Sequence, residues 1–455
     1  MKRIAYIVIT TLSLQFFITS CEKFLDKKQN MSLVTPGTLK DLQAILDDES
    51  SMNRSRTPSF GEASSDDYFL ISSSYNALSE RNKAVYRWMP YSYEFQNDWS
   101  INYFIIYNAN LCLERLNKIT RTTQNAQDWD NIKGSALFFR AYSFLNLAWV
   151  YAHAFNAATS DKEPGIVLRM VSDFNVPSSR STVKETYHQI INDATEAIQF
   201  LPSSAAHVMR PSKGAAYGLL ARSYLSMSVW DSAYKYSNLA LAENNTLMDY
   251  NSSPYLTGFS ENVPFKPFNP EIIFYSEMNN SLTLHAPLTG RVDPVLYSYY
   301  DTDDLRRKVY FRPANGYQRF KGSYSSNATT LFSGLAVNEM YLIKAESLAR
   351  LNHIEDAMDK LNILLKTRWD NAVPFTPKVA SDAGSAVSII LLERRKELLM
   401  RGLRWSDIKR LNRENAKIVL QRNIEGNTFS LQPNSSYFAL PLPTDVILNS
   451  KIIQN

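Results

Sequence analysis

Residues 393–410 hold the densest run of reactive side-chain types in the chain. Glu393, Arg394, Arg395, Lys396 and Glu397 are followed by Arg401, Arg404, Asp407, Lys409 and Arg410. Carboxylates beside guanidinium groups can serve acid–base chemistry, or they can lock helices together. The spacing favours the second use. Gly402 can end one helix, and Arg404, Asp407 and Arg410 recur at three-residue steps on the next, where they bridge neighbouring turns. The five histidines, His153, His188, His207, His285 and His353, are scattered without metal-ligand spacing. There is no phosphate-binding glycine loop and no nucleophile-elbow serine. The adjacent acids Asp66-Asp67 and Asp303-Asp304 fit loops or helix caps. Glycosidic hydrolysis needs two carboxyls placed across a bond, and adjacency does not supply that. The residues therefore imply no catalytic group, no metal and no cofactor.

The rings suggest binding chemistry instead. The chain has 26 Tyr, 23 Phe and 7 Trp. Sugars lay C–H faces on aromatic rings while amides, carboxylates and Arg bond the hydroxyls. Two irregular segments combine these types. One holds Asp66, Asp67, Tyr68, Arg81, Trp88, Tyr91 and Tyr93; the other holds His285, Arg291, Tyr297, Tyr299 and Tyr300. From them, Asp67, Tyr68, Arg81, Trp88, Tyr91, Arg291, Tyr297 and Tyr300 form the candidate ligand-binding set. The competing reading of each ring is packing against the scaffold. Trp99, Tyr103 and Tyr107 share a helical stripe and are expected in the core.

The elements that must position these groups are mostly helices. Residues 38–48, 99–119 and 182–201 carry apolar residues at three-and-four spacing, and Thr182 with Glu185 matches a capping box. An internal repeat is visible. Lys133-Gly134-Ser135-Ala136 leads into Ala141, Ser143, Phe144 and Leu145, and Lys213-Gly214-Ala215-Ala216 into Ala221, Ser223, Tyr224 and Leu225. A third copy has Ala345, Ser347, Leu348 and Ala349. Each copy precedes a second amphipathic helix, as in tetratricopeptide-type hairpins. In the first copy a loop, residues 152–181, separates the two helices, and loops that long on a rigid scaffold tend to carry function. Residues 245–335 are rich in Pro and Tyr and read as an irregular portion laid over the helices, with short strands such as 272–275.

The start of the chain is a targeting signal. Lys2 and Arg3 precede a mostly apolar stretch that ends in Ile18-Thr19-Ser20-Cys21. The stretch is too short and too polar at its centre for a membrane span. Its end resembles the lipobox of bacterial lipoproteins, in which the Cys is acylated and becomes the new N-terminus. This divides the chain into a signal peptide (1–20), a lipid-anchored tether (21–36) and one domain (37–455). Losing residues 1–20 removes two basic residues and lowers the formal charge from +5 to +3. That charge is too weak to suggest nucleic acid. With Cys21 lipidated, Cys112 has no partner for a disulfide. Hydrophobic residues at 45% leave stability to the core.

Several segments, in order, resemble the SusD/RagB family. They are Glu271-Ile272-Ile273-Phe274, Asp304-Leu305-Arg306, the run from Glu339 to Glu346, Leu361-Asn362 before Arg368, the cluster from Glu393 to Arg410, and Leu440-Pro441-Leu442-Pro443 with Asn449. One departure is Arg401, where the family commonly has Glu; Glu397 and Arg401 can still pair at i,i+4. The resemblance implies a mainly α fold of tetratricopeptide-like hairpins with a loop-rich ligand-binding portion. It implies a non-enzymatic lipoprotein on the outer membrane, facing outward, that captures a nutrient for a SusC-like TonB-dependent transporter. The implied ligand is an oligosaccharide, or a peptide in some members. Two rival readings are a tetratricopeptide adaptor, disfavoured by the irregular repeats, and a secreted hydrolase, which lacks a catalytic constellation.

Overall fold

The computed structural model describes residues 36–455. The signal peptide, Cys21 and nearly all of the tether lie outside the described residues. No helix among the described residues is long and apolar enough to cross a membrane.

The long helices, numbered here in chain order, are α1 (Leu39–Asp47), α2 (Asp98–Leu116), α3 (Ala126–Tyr151), α4 (Val183–Phe200), α5 (Lys213–Ser226), α6 (Trp230–Glu243), α7 (Val337–Arg350), α8 (Ile354–Lys366), α9 (Ala383–Glu397) and α10 (Arg404–Arg413). Their starts follow sequence signals. Thr38 and Asp41 box the start of α1, Asn97 and Ser100 that of α2, and Thr182 and Glu185 that of α4. Each helix from α2 to α8 packs on the next in a row, and α9 lies against α7. The expected hairpins are therefore α3–α4, α5–α6 and α7–α8. The small residues of the repeat do what close packing requires: a Cβ on Gly134 would come within 2.9 Å of Leu201. Helix α3, the second of the row, is buried at every position from Gly134 to Tyr151.

Strands are short and occur as two-stranded antiparallel pairs. Ile272–Phe274 pairs with Leu335–Ala336 at the entry to α7, and Tyr68–Phe69 pairs with Arg291–Val292. The 152–181 loop is a hairpin in which Pro164–Val167 pairs with Arg180–Thr182.

Buried charge ties the irregular portion to the helices. Glu397, the last residue of α9, accepts from Arg306 (3.1 Å), from Arg368 (2.9 Å) and from Asn338 of α7 (2.8 Å). Arg368 also meets Glu271 (2.7 Å), and Arg306 meets Asp304 (2.7 Å) and Glu393 (2.6 Å). These guanidinium groups hold the Glu397 and Asp304 carboxyls below the usual range, against the upward push of burial. Further Arg–carboxylate clamps join α3 to α4 (Arg140–Asp193), α5 to α7 (Arg222–Glu339) and α10 to α7 (Arg410–Glu346). The i,i+4 pair expected between Glu397 and Arg401 does not form. Helix α9 stops at Glu397, and Met400 and Gly402 take positive φ. Arg401 instead lies 4.1 Å over the Tyr324 ring. Arg404 likewise does not bridge to Asp407; it grips Asp66 with two bonds of 2.7 and 2.9 Å, while Asp407 pairs with Arg410.

Two outcomes follow. Glu397→Ala strands Arg306 and Arg368 without their shared partner and should cost about 3–5 kcal/mol, seen as a large fall in the unfolding midpoint. A midpoint close to that of the parent protein would show that the cluster is dispensable. The second concerns Glu62, whose buried carboxyl is pushed up to about 8, first by burial and then by Asp67. A folded-state value above the unfolded one gives stability that is full below the unfolded pKa and is lost as pH rises through about 8. Glu62→Gln should therefore gain on the parent protein between pH 5 and 8 in denaturant titrations. A stability difference that does not change with pH would contradict this.

Candidate functional site

The Tyr68–Phe69/Arg291–Val292 pairing brings the two aromatic segments of the sequence together, but it closes them into the core. Trp88 is 6% exposed, and its Nε1 donates to the carbonyl of Ser64 (3.0 Å). The Arg422 guanidinium lies over the rings of Tyr68, Tyr86 and Trp88. Tyr68 is buried and donates its hydroxyl to Ala63 O. Asp67 is buried against Arg395 (2.8 Å). Tyr300 is buried and donates to Lys396 O (2.8 Å). Arg291 spends its guanidinium on the carbonyls of Leu288, Thr289 and Gly290. Tyr91 and Tyr297 are half-buried, the first stacked on Phe60 and the second beneath Arg307. Of the eight candidates named from sequence, only Arg81 is exposed. The placement of Trp88, Tyr68, Asp67 and Tyr300 corrects the expectation that they lie open to a ligand. Rings and charges in a segment without helical periodicity had found each other across the fold.

An opening of about 550 Å³ lies elsewhere, with Phe174 as its exposed ring. Its floor is the start of α2, where Trp99 and Tyr103 sit with ring centroids 4.7 Å apart. One wall is the loop of the inserted hairpin, residues 168–179, and the other is the short C-terminal helix Thr444–Ser450. The volume lies within the range of small-ligand sites.

The sequence sets this geometry locally. The hairpin stem presses on α4, where a Cβ on Gly165 would come within 2.3 Å of Thr186 Oγ1 and 2.5 Å of Thr182 O, so only glycine fits. Tyr103 donates its hydroxyl to Val167 O (2.7 Å) and accepts from Val167 N (3.1 Å). Asn110 of α2 donates to Arg169 O (2.9 Å) and Val171 O (3.2 Å), and its own oxygen accepts from Arg140 (2.9 Å), which is clamped to Asp193. A buried polar relay thus runs from the α3–α4 ion pair to the loop. Arg169 closes the loop on itself by donating to the carbonyls of Phe174 and Val176.

At the rim, Phe174 is 79% exposed. Across from it Asn449 is exposed, and among the described residues its carboxamide makes no hydrogen bond to protein. Asp445 is the one carboxylate lining the cleft, and it accepts from the backbone N–H of Phe95 and Val446. Rings with an uncommitted amide can hold a molecule that has both an apolar face and polar groups. A single carboxylate leaves no second group for two-carboxyl hydrolysis. Among the described residues no cluster of His, Cys, Asp and Glu could hold a metal ion. Trp99 is buried and Tyr103 half-buried against the core, as the helical stripe implied, whereas Tyr107 of the same stripe is 39% exposed; sequence reasoning did not single out Phe174. The usable signal was the length of the 152–181 loop.

Residues 23–225 match a SusD-like family described as "Starch-binding associating with outer membrane". A search of the curated proteins finds no match. Among solved structures, the chain is similar to a SusD-like carbohydrate binding protein from Bacteroides vulgatus, with a TM-score of 0.66, 22% identity, and coverage of 91% of this chain and 97% of that one. A SusD superfamily protein from Bacteroides thetaiotaomicron aligns with a TM-score of 0.73 at 19% identity, covering 92% and 99%. Another from Bacteroides fragilis aligns at 0.71 and 20%, covering 91% and 98%. Residues 23–225 thus match a SusD-like family model, and the described fold is similar to that of SusD superfamily proteins over nearly its whole length.

Proposed function

We propose that this protein is a carbohydrate-binding lipoprotein of the outer membrane. In this reading it captures an oligosaccharide outside the cell and passes it to a SusC-like TonB-dependent transporter, without converting it. The observation that carries the reading is the cleft itself: an aromatic floor, an exposed ring at the lip, an unpaired carboxamide and a lone carboxylate. Sugar C–H faces cover the exposed Phe174 ring, removing apolar surface from water at about 25 cal/mol per Å². Asn449 supplies both a donor and an acceptor for hydroxyls. The family description and the similar carbohydrate binding protein support a sugar as ligand. Acylation of Cys21 is the anchor in this reading, since each buried methylene contributes about 0.8 kcal/mol and several acyl chains together hold firmly.

Maltooligosaccharides are the first ligands to titrate, given the family's description. Phe174→Ala and Asn449→Ala should each weaken binding by about 1–2 kcal/mol with unchanged thermal unfolding. Trp88→Ala should do the reverse: a loss of about 3–5 kcal/mol in stability with binding per folded molecule intact. Calorimetric titrations and melting curves on the three variants decide it. Binding lost in Trp88→Ala and kept in Phe174→Ala would return the site to the buried cluster. In cells, Cys21→Ser should leave the protein unanchored, and full recovery of that variant in the outer-membrane fraction would refute the lipid anchor.

A further inference from the structure

Asn315 and Gly316, both at positive φ, turn the chain between two short antiparallel strands, Phe311–Ala314 and Tyr317–Phe320. Side chains alternate between the faces of a strand. Phe311 and Phe320 are opposite each other and buried, so the other face carries Arg312, Ala314, Tyr317 and Arg319. On that face Arg312 and Arg319 are direct cross-strand partners. Like charges in that position destabilise a strand pair, so the two arginines call for a counter-charge.

Among the described residues neither guanidinium has a carboxylate within ion-pair distance, and Arg319 makes no hydrogen bond. Arg312 donates to the side-chain oxygen of Asn262. Two more cations crowd the pair. Arg291, in the neighbouring strand, donates to Asn315 Oδ1 (3.0 Å) and to the carbonyls of residues 288–290. Lys321 is held by the carbonyls of Phe259 and Glu261. Burial and then the Arg319 charge lower the Arg291 and Arg312 guanidinium groups from their usual value, and burial with Arg312 does the same to Lys321. The one carboxylate that offsets any of these shifts is Glu261, at Lys321. Elsewhere the fold gives its buried arginines acids of their own, as at Arg306, Arg368 and Arg410. Beside the cations lies a ring: Tyr317 is 42% exposed and meets Phe69 edge-on, with centroids 4.9 Å apart.

We infer that this face of the hairpin is a binding site for a sulfate or phosphate group, as the free anion or as an ester, gripped by Arg312 and Arg319 together. The chemistry follows from the oxygens. One guanidinium fork fills the two oxygens of a carboxylate. A sulfate or phosphate ester keeps three free oxygens, enough to accept from both forks, and its charge relieves the repulsion between them. Free anion and ester share that chemistry and differ in what meets Tyr317. The inference rests neither on the cleft beneath the inserted hairpin nor on the oligosaccharide proposed for it.

The experiment follows arginine side-chain N–H resonances by NMR in the full mature protein at fixed ionic strength. Arg312→Gln and Arg319→Gln assign the two signals and serve as the test variants. The probes are sodium sulfate, glucose 6-sulfate and glucose 6-phosphate, with glucose and sodium chloride as controls for the sugar and for screening. At least one of the anions should shift both signals saturably, and the controls should not. Each variant should bind that anion about tenfold more weakly and melt no earlier than the parent protein, because it loses one of two opposed like charges. Tyr317→Ala then separates the sources. Affinity lost for the esters alone marks an ester as the ligand, and equal affinity for sulfate and the esters with and without the ring marks the free anion. Arginine signals that no anion moves, that chloride or glucose moves equally, or that saturate as in the parent protein in both Arg variants would overturn the inference.

Discussion

The structure depends on one buried carboxylate, Glu397. It stands where four parts of the chain meet: the Asp304–Arg306 turn, the entry to α7 at Asn338, Arg368 beyond α8, and the end of α9. A fully buried acid is costly to ionise, and only two guanidinium groups in direct contact keep it charged. Those guanidiniums in turn need Glu271, Asp304 and Glu393. Removing any one member leaves its buried neighbours with fewer counter-charges. That interdependence fixes the irregular middle of the chain, which has little secondary structure of its own, onto the row of helices.

A scaffold locked in this way can present loops without being deformed by what they hold. The same device recurs on a smaller scale at the cleft, where the Arg140–Asp193 pair steadies Asn110 and Asn110 carries the carbonyls of the hairpin loop. The loop itself mixes polar residues with the exposed apolar side chains of Met170, Val171, Phe174 and Val176. The lip of the cleft therefore combines an anchored base with one exposed ring, Phe174.

The helical frame was largely legible in the sequence, because helix starts and the small-residue repeat are local signals. Thr182 with Glu185 caps α4 as read, and the hairpins fall where Gly134, Gly214 and Ala345 place them. The structural reading of the Glu393–Arg410 charges also agrees with the packing, although their partners, such as Asp66 for Arg404, lie far off in sequence and could not be named. The site was much less legible. Whether an aromatic ring outside a helix is exposed depends on what folds over it. Trp88 has Arg422 across it, and no spacing in the chain announces that contact. Conversely, Trp99 and Tyr103 lie on a regular helical stripe, packed as that stripe implies, while the exposed ring at the cleft, Phe174, sits in a loop with no periodic signal.

The central claim is a division of labour: the buried ion network holds the fold, and the ligand meets the cleft beneath the hairpin. Hydrogen exchange with and without saturating oligosaccharide tests it most directly, because it reads the whole backbone at once. The account predicts added protection in residues 167–179, the first turns of α2 and residues 444–450, with the segments around Glu397 and Arg404 slow to exchange in both states. Protection concentrated in residues 393–413, with the hairpin loop unchanged by ligand, would contradict it.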